Sequence, residues 1–401
     1  MRSVDMFFAN LMDLLGDWLL NFLPFWAMRL VIDFIVVVVI LGFTIVTVLF
    51  LTYMERKVVA RIADRIGPNR WGPFGLLQPI ADALKMLIKE DIIPASADRW
   101  LFNLAPVVII IPALLIYAVI PFGEGMYATD LNIGILYIVA LGSISLLALL
   151  MAGWGSDNKY ALLGAFRSVA QLVAYEVPMV LIIVSVILLT GSLSLVEIVR
   201  QQTVPYIVIM PVAFIVYFLC AAAEVGRSPF DLLEADSEIV AGYFIEYSGM
   251  KFALFFLAEY INLFAVSAVA TTLFLGGWKG PILPPYIWFL IKCYALIFIL
   301  MWFRGTFPRF RIDQMLDLAW KVFVPLALVN ILLVGLVTKL SADVLVWVVV
   351  LLPLNVVLAL VALRLLGGAE KRRLQEARER AARGWSDDHR AVPSLQTTID
   401  S

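Results

Sequence analysis

Three carboxylates stand inside long apolar runs: Glu176, Glu224 and Glu259. An isolated carboxylate at membrane depth costs on the order of 2.5–3.5 kcal/mol on insertion scales, so it is rarely kept as filler. These three are therefore the leading functional candidates. The competing reading is structural, with Arg167, Arg227 or a helix terminus neutralising them. More polar groups crowd the segments between apolar runs. Glu55-Arg56-Lys57 closes the first run, and GPNRWGPFGLLQPIADALKMLIKED begins at Gly67. GWGSDNKYALLGAFRSVAQ begins at Gly153, and AEVGRSPFDLLEADSE carries Glu224, Arg227, Asp231, Glu234, Asp236 and Glu238, with Glu246 following. Finally, RGTFPRFRIDQMLDLAWK spans Arg304 to Lys321. Arg304, Arg309 and Arg311 suit either phospholipid phosphates or the acidic run as counter-charges.

The remaining residue types exclude other chemistry. The two cysteines, Cys220 and Cys293, each lie in an apolar run, and the single histidine, His389, is near the C-terminus. Such a set holds no iron–sulfur cluster, haem or zinc, and no metal site is expected. No GxGxxG follows a strand, so no dinucleotide site is indicated. If the protein takes part in electron transfer, its redox centres belong to partner chains. A net charge of -1 also argues against nucleic-acid binding through bulk positive charge.

The elements that position these groups are membrane helices. Of 401 residues, 63% are hydrophobic and only 15% charged, against roughly a quarter charged in soluble domains. Uncharged runs of about 20 residues are long enough to cross a hydrocarbon core of roughly 30 Å as helix. The pattern predicts an all-α, polytopic bundle with nine spans near 31–54, 101–121, 133–153, 166–190, 206–224, 252–275, 286–303, 322–340 and 342–366. Residues 1–30 read as an interfacial helix, since Asp13 and Asp17 lie one turn apart near Trp18 and Trp26. The acidic start, with no small-residue cleavage site behind it, argues against a signal peptide. From 367 to 401 a charged tail follows. Within the loop 55–100, Leu76, Leu77, Ile80, Leu84, Leu87 and Ile88 recur at helical spacing, which predicts an amphipathic helix on the membrane surface. Residues 225–250 form an acidic loop. With nine spans, 24 of the 30 Lys and Arg fall on one side and five on the other. The positive-inside rule then puts the N-terminus outside and the tail in the cytoplasm.

Taken in order from about Glu55 to Lys321, these five motifs resemble the H subunit of the proton-pumping NADH:quinone oxidoreductase, respiratory complex I. The resemblance implies an all-helical protein of the bacterial plasma membrane, at the junction of the peripheral redox arm and the membrane arm, forming much of the quinone chamber. It implies that Glu55 and Arg56 match a charged pair near the quinone passage, and that the helix from Gln78 to Lys89 flanks its entrance. Asp82 and Glu90 match polar residues near that chamber, and Arg304 is placed with them. Glu176, Glu224 and Glu259 match buried acids of a proton route toward antiporter-like subunits. Glu234, Asp236 and Glu238 match a coupling loop usually written with three glutamates; here the middle one is aspartate.

The implied substrate is a quinone, ubiquinone or menaquinone, with NADH, FMN and iron–sulfur clusters in partner subunits. Implied partners are the peripheral-arm subunits of the quinone site, small and antiporter-like membrane subunits, and membrane lipid, but no nucleic acid. Two alternatives come from other classes. A membrane anchor of an energy-converting hydrogenase is related to this family, but the complete GPNR and LLQPIAD stretches and the acidic loop favour the quinone enzyme. A proton-coupled secondary transporter would also hold midplane acids, yet the chain halves show no repeated motif and no matching pair of broken helices.

Overall fold

A computed structural model describes residues 24–231, 242–340 and 346–362, with Leu14, Trp18 and Arg364 besides. Most of the expected interfacial N-terminal helix, the charged tail and the Glu234, Asp236 and Glu238 stretch lie outside the described residues. The architecture is all-helical, with no strand among the described residues beyond an isolated bridge between Gly123 and Met126.

In chain order the helices are α1 Phe25–Ile62, α2 Gln78–Ile88, α3 Arg99–Ile116, α4 Gly134–Gly155, α5 Lys159–Thr190, α6 Leu195–Gln201 and α7 Tyr206–Ile209. There follow α8 Pro211–Glu224, α9 Gly249–Phe274, α10 Pro285–Thr306, α11 Ile312–Leu340 and α12 Val346–Ala362. Seven of them, α1, α3, α4, α5, α9, α10 and α11, are long and apolar enough to cross a membrane. Two of the nine expected spans are not among these seven. The fifth run is broken at Met210, whose φ of -131° and ψ of 67° leave the helical region. Pro211, with no N–H to continue α7, starts a new helix of 14 residues there. Of the last apolar run, residues 346–362 are described, as helix α12.

Local chemistry sets the ends. The Asp98 carboxylate accepts from Trp100 N at 3.0 Å, and the Asn158 side-chain oxygen accepts from Tyr160 N at 2.9 Å, capping α3 and α5. Helix α5 has 32 residues, about 48 Å at 1.5 Å per residue. It therefore outruns the hydrocarbon layer and carries the NKYALLGAFR motif beyond it. Likewise α1 continues through Glu55-Arg56-Lys57 to Ile62, so that triplet sits within a helix rather than at its end.

Packing follows the small residues. A Cβ on Gly153 of α4 would fall 2.4 Å from Ala165 Cβ of α5, so glycine is what lets these helices touch. The larger buried cluster includes Tyr117, Tyr175, Tyr217, Phe264 and Phe289. A second cluster lies around Phe102, Tyr247 and Phe255, where Phe102 and Tyr247 stack with ring centroids 4.1 Å apart.

Candidate functional site

Glu55 and Arg56 are consecutive residues of α1, and on a helix consecutive side chains point about 100° apart. They are accordingly separated. Glu55 turns inward and is 5% exposed. Arg56 turns outward to pair with Asp82 of α2, which also accepts from Gln78 Nε2 at 3.1 Å. The expected side-by-side pair is thus two pairs on two faces of α1.

The partner that Glu55 meets instead is Arg227, whose Nη1 lies 2.7 Å from Glu55 Oε1. Arg304 of α10 reaches the same oxygen. The Nη2 of Arg227 stands 3.1 Å from Glu259 of α9, and its guanidinium lies over the Tyr260 ring at 4.9 Å from the centroid. Arg227 is 2% exposed. A buried charge is tolerable only with partners, and two carboxylates with an aromatic face supply them.

The backbone explains how an arginine comes to stand there. At the end of α8, Gly226 N donates to Ala223 O and Arg227 N donates to Ala222 O, with Gly226 at φ 70°. That is a Schellman ending, in which glycine takes the left-handed position without strain. Gln171 Nε2 of α5 then clamps Ala223 O at 2.7 Å and Phe230 O at 2.8 Å. Ser228 Oγ bonds Phe307 O at 3.2 Å, and Phe310 N bonds Pro229 O at 3.0 Å.

Beyond Glu259 a cavity of about 110 Å³ runs between α4, α5, α8 and α9, and Glu176, Glu224 and Glu259 all line it, with Gly142, Tyr217 and Asn262. A cavity of that size holds several waters. Glu176 accepts from Ser143 Oγ at 2.9 Å, while Glu224 Oε2 and Glu55 Oε2 are buried without a hydrogen-bond partner among the described residues. A buried carboxyl oxygen in that position is satisfied by water or by its own proton. The three acids singled out by hydropathy therefore share one space, which touches the ion cluster at Glu259.

The other candidate residues lie on the motif-bearing rim. Glu90 is exposed, next to the start of α9, where its backbone oxygen accepts from Ser248 Oγ at 3.3 Å. Lys251 pairs with Asp91 at 2.7 Å, Arg309 with Asp231 at 2.9 Å, and Asn158 Nδ2 donates to Glu246 at 2.7 Å. Helix α2 leaves Ile80, Leu84, Leu87 and Ile88 exposed along one side, the amphipathic helix read from the spacing. Gly75 anchors the turn before it: at φ 84°, a Cβ there would fall 2.3 Å from Pro68 O. Sequence reasoning marks Arg227 only as a neutraliser of nearby acids, holds Gln171 only as the last residue of the motif that begins at Gly153, and gives no sign of Asn262. Arg227 follows an apolar run by three residues, and that is its one signal.

A buried Glu–Arg–Glu bridge joined to an acid-lined cavity, built from these motifs, invites comparison with known proteins. The family model described as NADH dehydrogenase matches residues 35–335. The chain belongs to the NADH dehydrogenase family. It is 54% identical over 307 residues to the H subunit of the NADH-quinone oxidoreductase of Dehalococcoides mccartyi (strain CBDB1), covering 77% of this chain and 87% of that one. Against the H subunit numbered 1 of the Geobacter sulfurreducens NADH-quinone oxidoreductase the identity is 48% over 329 residues, 76% of this chain and 94% of the relative. Against the H subunit of the Thermomicrobium roseum enzyme it is 47% over 329 residues, covering 77% and 96%. The resemblance read from the five motifs is thereby borne out. Within the NADH dehydrogenase family, then, this is an integral membrane subunit whose buried charges meet at Arg227.

Proposed function

We propose that this chain is the membrane subunit that walls the quinone chamber of a proton-translocating NADH:quinone oxidoreductase and couples quinone reduction to proton movement. The observation that carries the reading is the shared guanidinium of Arg227, 2.7 Å from Glu55 and 3.1 Å from Glu259. A change of charge at the Glu55 end alters the field on Arg227, and Arg227 in turn holds one of the three acids of the cavity. In a low-dielectric site that effect is large and needs no long-range motion.

In this reading the quinone approaches along α2, past the exposed apolar side chains of Leu84, Leu87 and Ile88, toward Glu55, Arg56, Asp82, Glu90 and Arg304. Electrons come from an iron–sulfur centre of a docked subunit, which takes them from NADH through FMN. Glu259, Glu224 and Glu176 pass protons toward antiporter-like neighbours, with Glu234, Asp236 and Glu238 as the coupling loop. The names of the relatives favour this over a hydrogenase anchor. The motif-bearing rim faces the cytoplasm, the N-terminus lies outside, and the membrane is the bacterial plasma membrane.

A photoreactive quinone analogue tests the placement in the assembled complex. Crosslinks in residues 53–90 or at 304–311 are expected, competed by excess quinone. Labelling confined to α12 would overturn it.

A further inference from the structure

Ser248 stands at the N-cap of α9, with φ -131° and ψ 168°, the position from which a serine hydroxyl ordinarily accepts from the first N–H groups of its own helix. It makes no such bond. The hydroxyl is spent instead on the chain that leaves α2, donating to Glu90 O at 3.3 Å and accepting from Ile92 N at 3.1 Å. Lys251 is equally out of place by local rules. It lies in the first turn of α9, where the helix dipole favours an anion, and no acidic residue shares that turn. Its ammonium reaches Asp91 at 2.7 Å and lies 5.2 Å from the centre of the Phe102 ring. Between the two, Gly249 at φ 56° lets the backbones touch: a Cβ there would meet Lys89 O at 3.1 Å and Glu90 O at 3.4 Å.

Ser248 and Lys251 thus forgo what their own helix offers and serve the segment 89–92, a conflict between local preference and contact of the kind that marks functional positions. The corner they form is firmly seated. Tyr247 stacks on Phe102 of α3 with ring centroids 4.1 Å apart and donates its hydroxyl to Phe102 O at 3.2 Å. Glu246 accepts from Asn158 Nδ2 at 2.7 Å, next to the start of α5. The segment held by this corner begins at Lys89, the C-cap of α2, and includes Glu90, whose side chain is exposed. Within α2, Asp82 is held by Arg56 of α1. Helix α2 is therefore tied to α1 along its length and, just past its end, to α9, the helix of Glu259.

We propose that Ser248 and Lys251 are positioning residues for quinone entry: they fix residues 89–92 against α9, and so set where α2 ends and where Glu90 stands beside the passage. The inference rests on the reading that quinone approaches along α2. Both residues act through the chain they hold, not by touching the quinone.

The test measures quinone kinetics and hydrogen exchange over residues 78–92 in the assembled complex, in proteoliposomes given back the quinone extracted from the host membrane. Lys251→Met and Ser248→Ala should each speed exchange there and raise the KM for quinone about fivefold with kcat kept, the change that losing one partly exposed polar contact supplies. Ser248→Thr keeps donor and acceptor and should retain the original KM. Ser248→Asp separates the two roles of the position, because aspartate caps a helix as well as serine does but cannot donate to Glu90 O. A raised KM is expected in it, and a normal one would show that the hydroxyl serves α9 alone. Exchanging the charges, Lys251→Asp with Asp91→Lys, should recover both readouts. Unchanged exchange and KM in Lys251→Met and Ser248→Ala would overturn the proposal and leave the quinone reading standing. Faster exchange with an unchanged KM would overturn it together with that reading, since α2 would then be loosened without consequence for quinone.

Discussion

Arg227 Nη1 lies 2.7 Å from Glu55 Oε1 although 172 positions separate the two residues in the chain. Since the other end of the guanidinium holds Glu259 at 3.1 Å, α1, α8 and α9 are joined at one buried charge. Arg304 adds a second cation at Glu55, so two arginines balance two carboxylates. The arrangement is expensive to break at one point and far less so to remove in a matched way, because the penalty is that of an uncompensated buried charge.

Arg227→Met should therefore lower the thermal stability of the chain in detergent by about 3–5 kcal/mol, with quinone reduction lost. The double variant Arg227→Met with Glu259→Gln should be less unstable than the single losses added together. Thermal unfolding of all three variants gives the coupling directly; strict additivity would mean that the two residues do not share a charge balance.

Gly142 lines the acid cavity, and a Cβ there meets only Glu224 Oε1, at 3.6 Å. Gly142→Ala should be tolerated, with proton pumping near normal. Gly142→Leu fills the space next to Glu224 and should impair pumping as Glu224→Gln does, while yield of the complex is kept. Proton uptake by inverted vesicles decides it, and full pumping in both Gly142→Leu and Glu224→Gln would remove the cavity from the mechanism.

Much of this is legible in the sequence, and for identifiable reasons. Uncharged runs reveal most spans because a membrane demands length and hydropathy together. The midplane acids stand out because their cost is high wherever they sit. The break at Met210 escapes hydropathy, which does not see backbone geometry, although Pro205 and Pro211 flag it. Which face of α1 each charge takes is hidden as well. Adjacency in sequence suggests that Glu55 and Arg56 act as a pair, whereas helical rotation sends them to Arg227 and Asp82. Arg227 itself has no local signature: its burial depends on Gln171 and the α8 ending, contacts that only the fold assembles.

The outward pair should behave quite differently from the buried one. Arg56 and Asp82 side chains are 52% and 27% exposed, so solvent screens their attraction to about 1 kcal/mol or less. Arg56→Ala should leave global stability nearly unchanged but loosen α2, raising hydrogen exchange over residues 78–88. The exchange of charges, Arg56→Asp with Asp82→Arg, should restore protection at low salt. Protection indifferent to both variants would show that Gln78 and the apolar contacts alone seat the helix.

Orientation decides which of the two faces meets the redox partners, and it can be read by chemistry alone. Both native cysteines, Cys220 and Cys293, are buried, so an introduced exposed cysteine is the reactive thiol of the described residues. Arg65 and Glu124 are exposed on opposite faces, Arg65 just past the end of α1 and Glu124 in the turn after α3. On a nine-span topology the basic residues would fall 24 to five in favour of the Arg65 face, and positive charge near span ends is retained on the cytoplasmic side. In intact cells a membrane-impermeant maleimide should label Glu124→Cys and not Arg65→Cys, with the reverse in inverted vesicles. Labelling of Arg65→Cys from outside the cell would turn the molecule over, moving the Glu55–Arg227 cluster to the wrong face for a cytoplasmic electron donor.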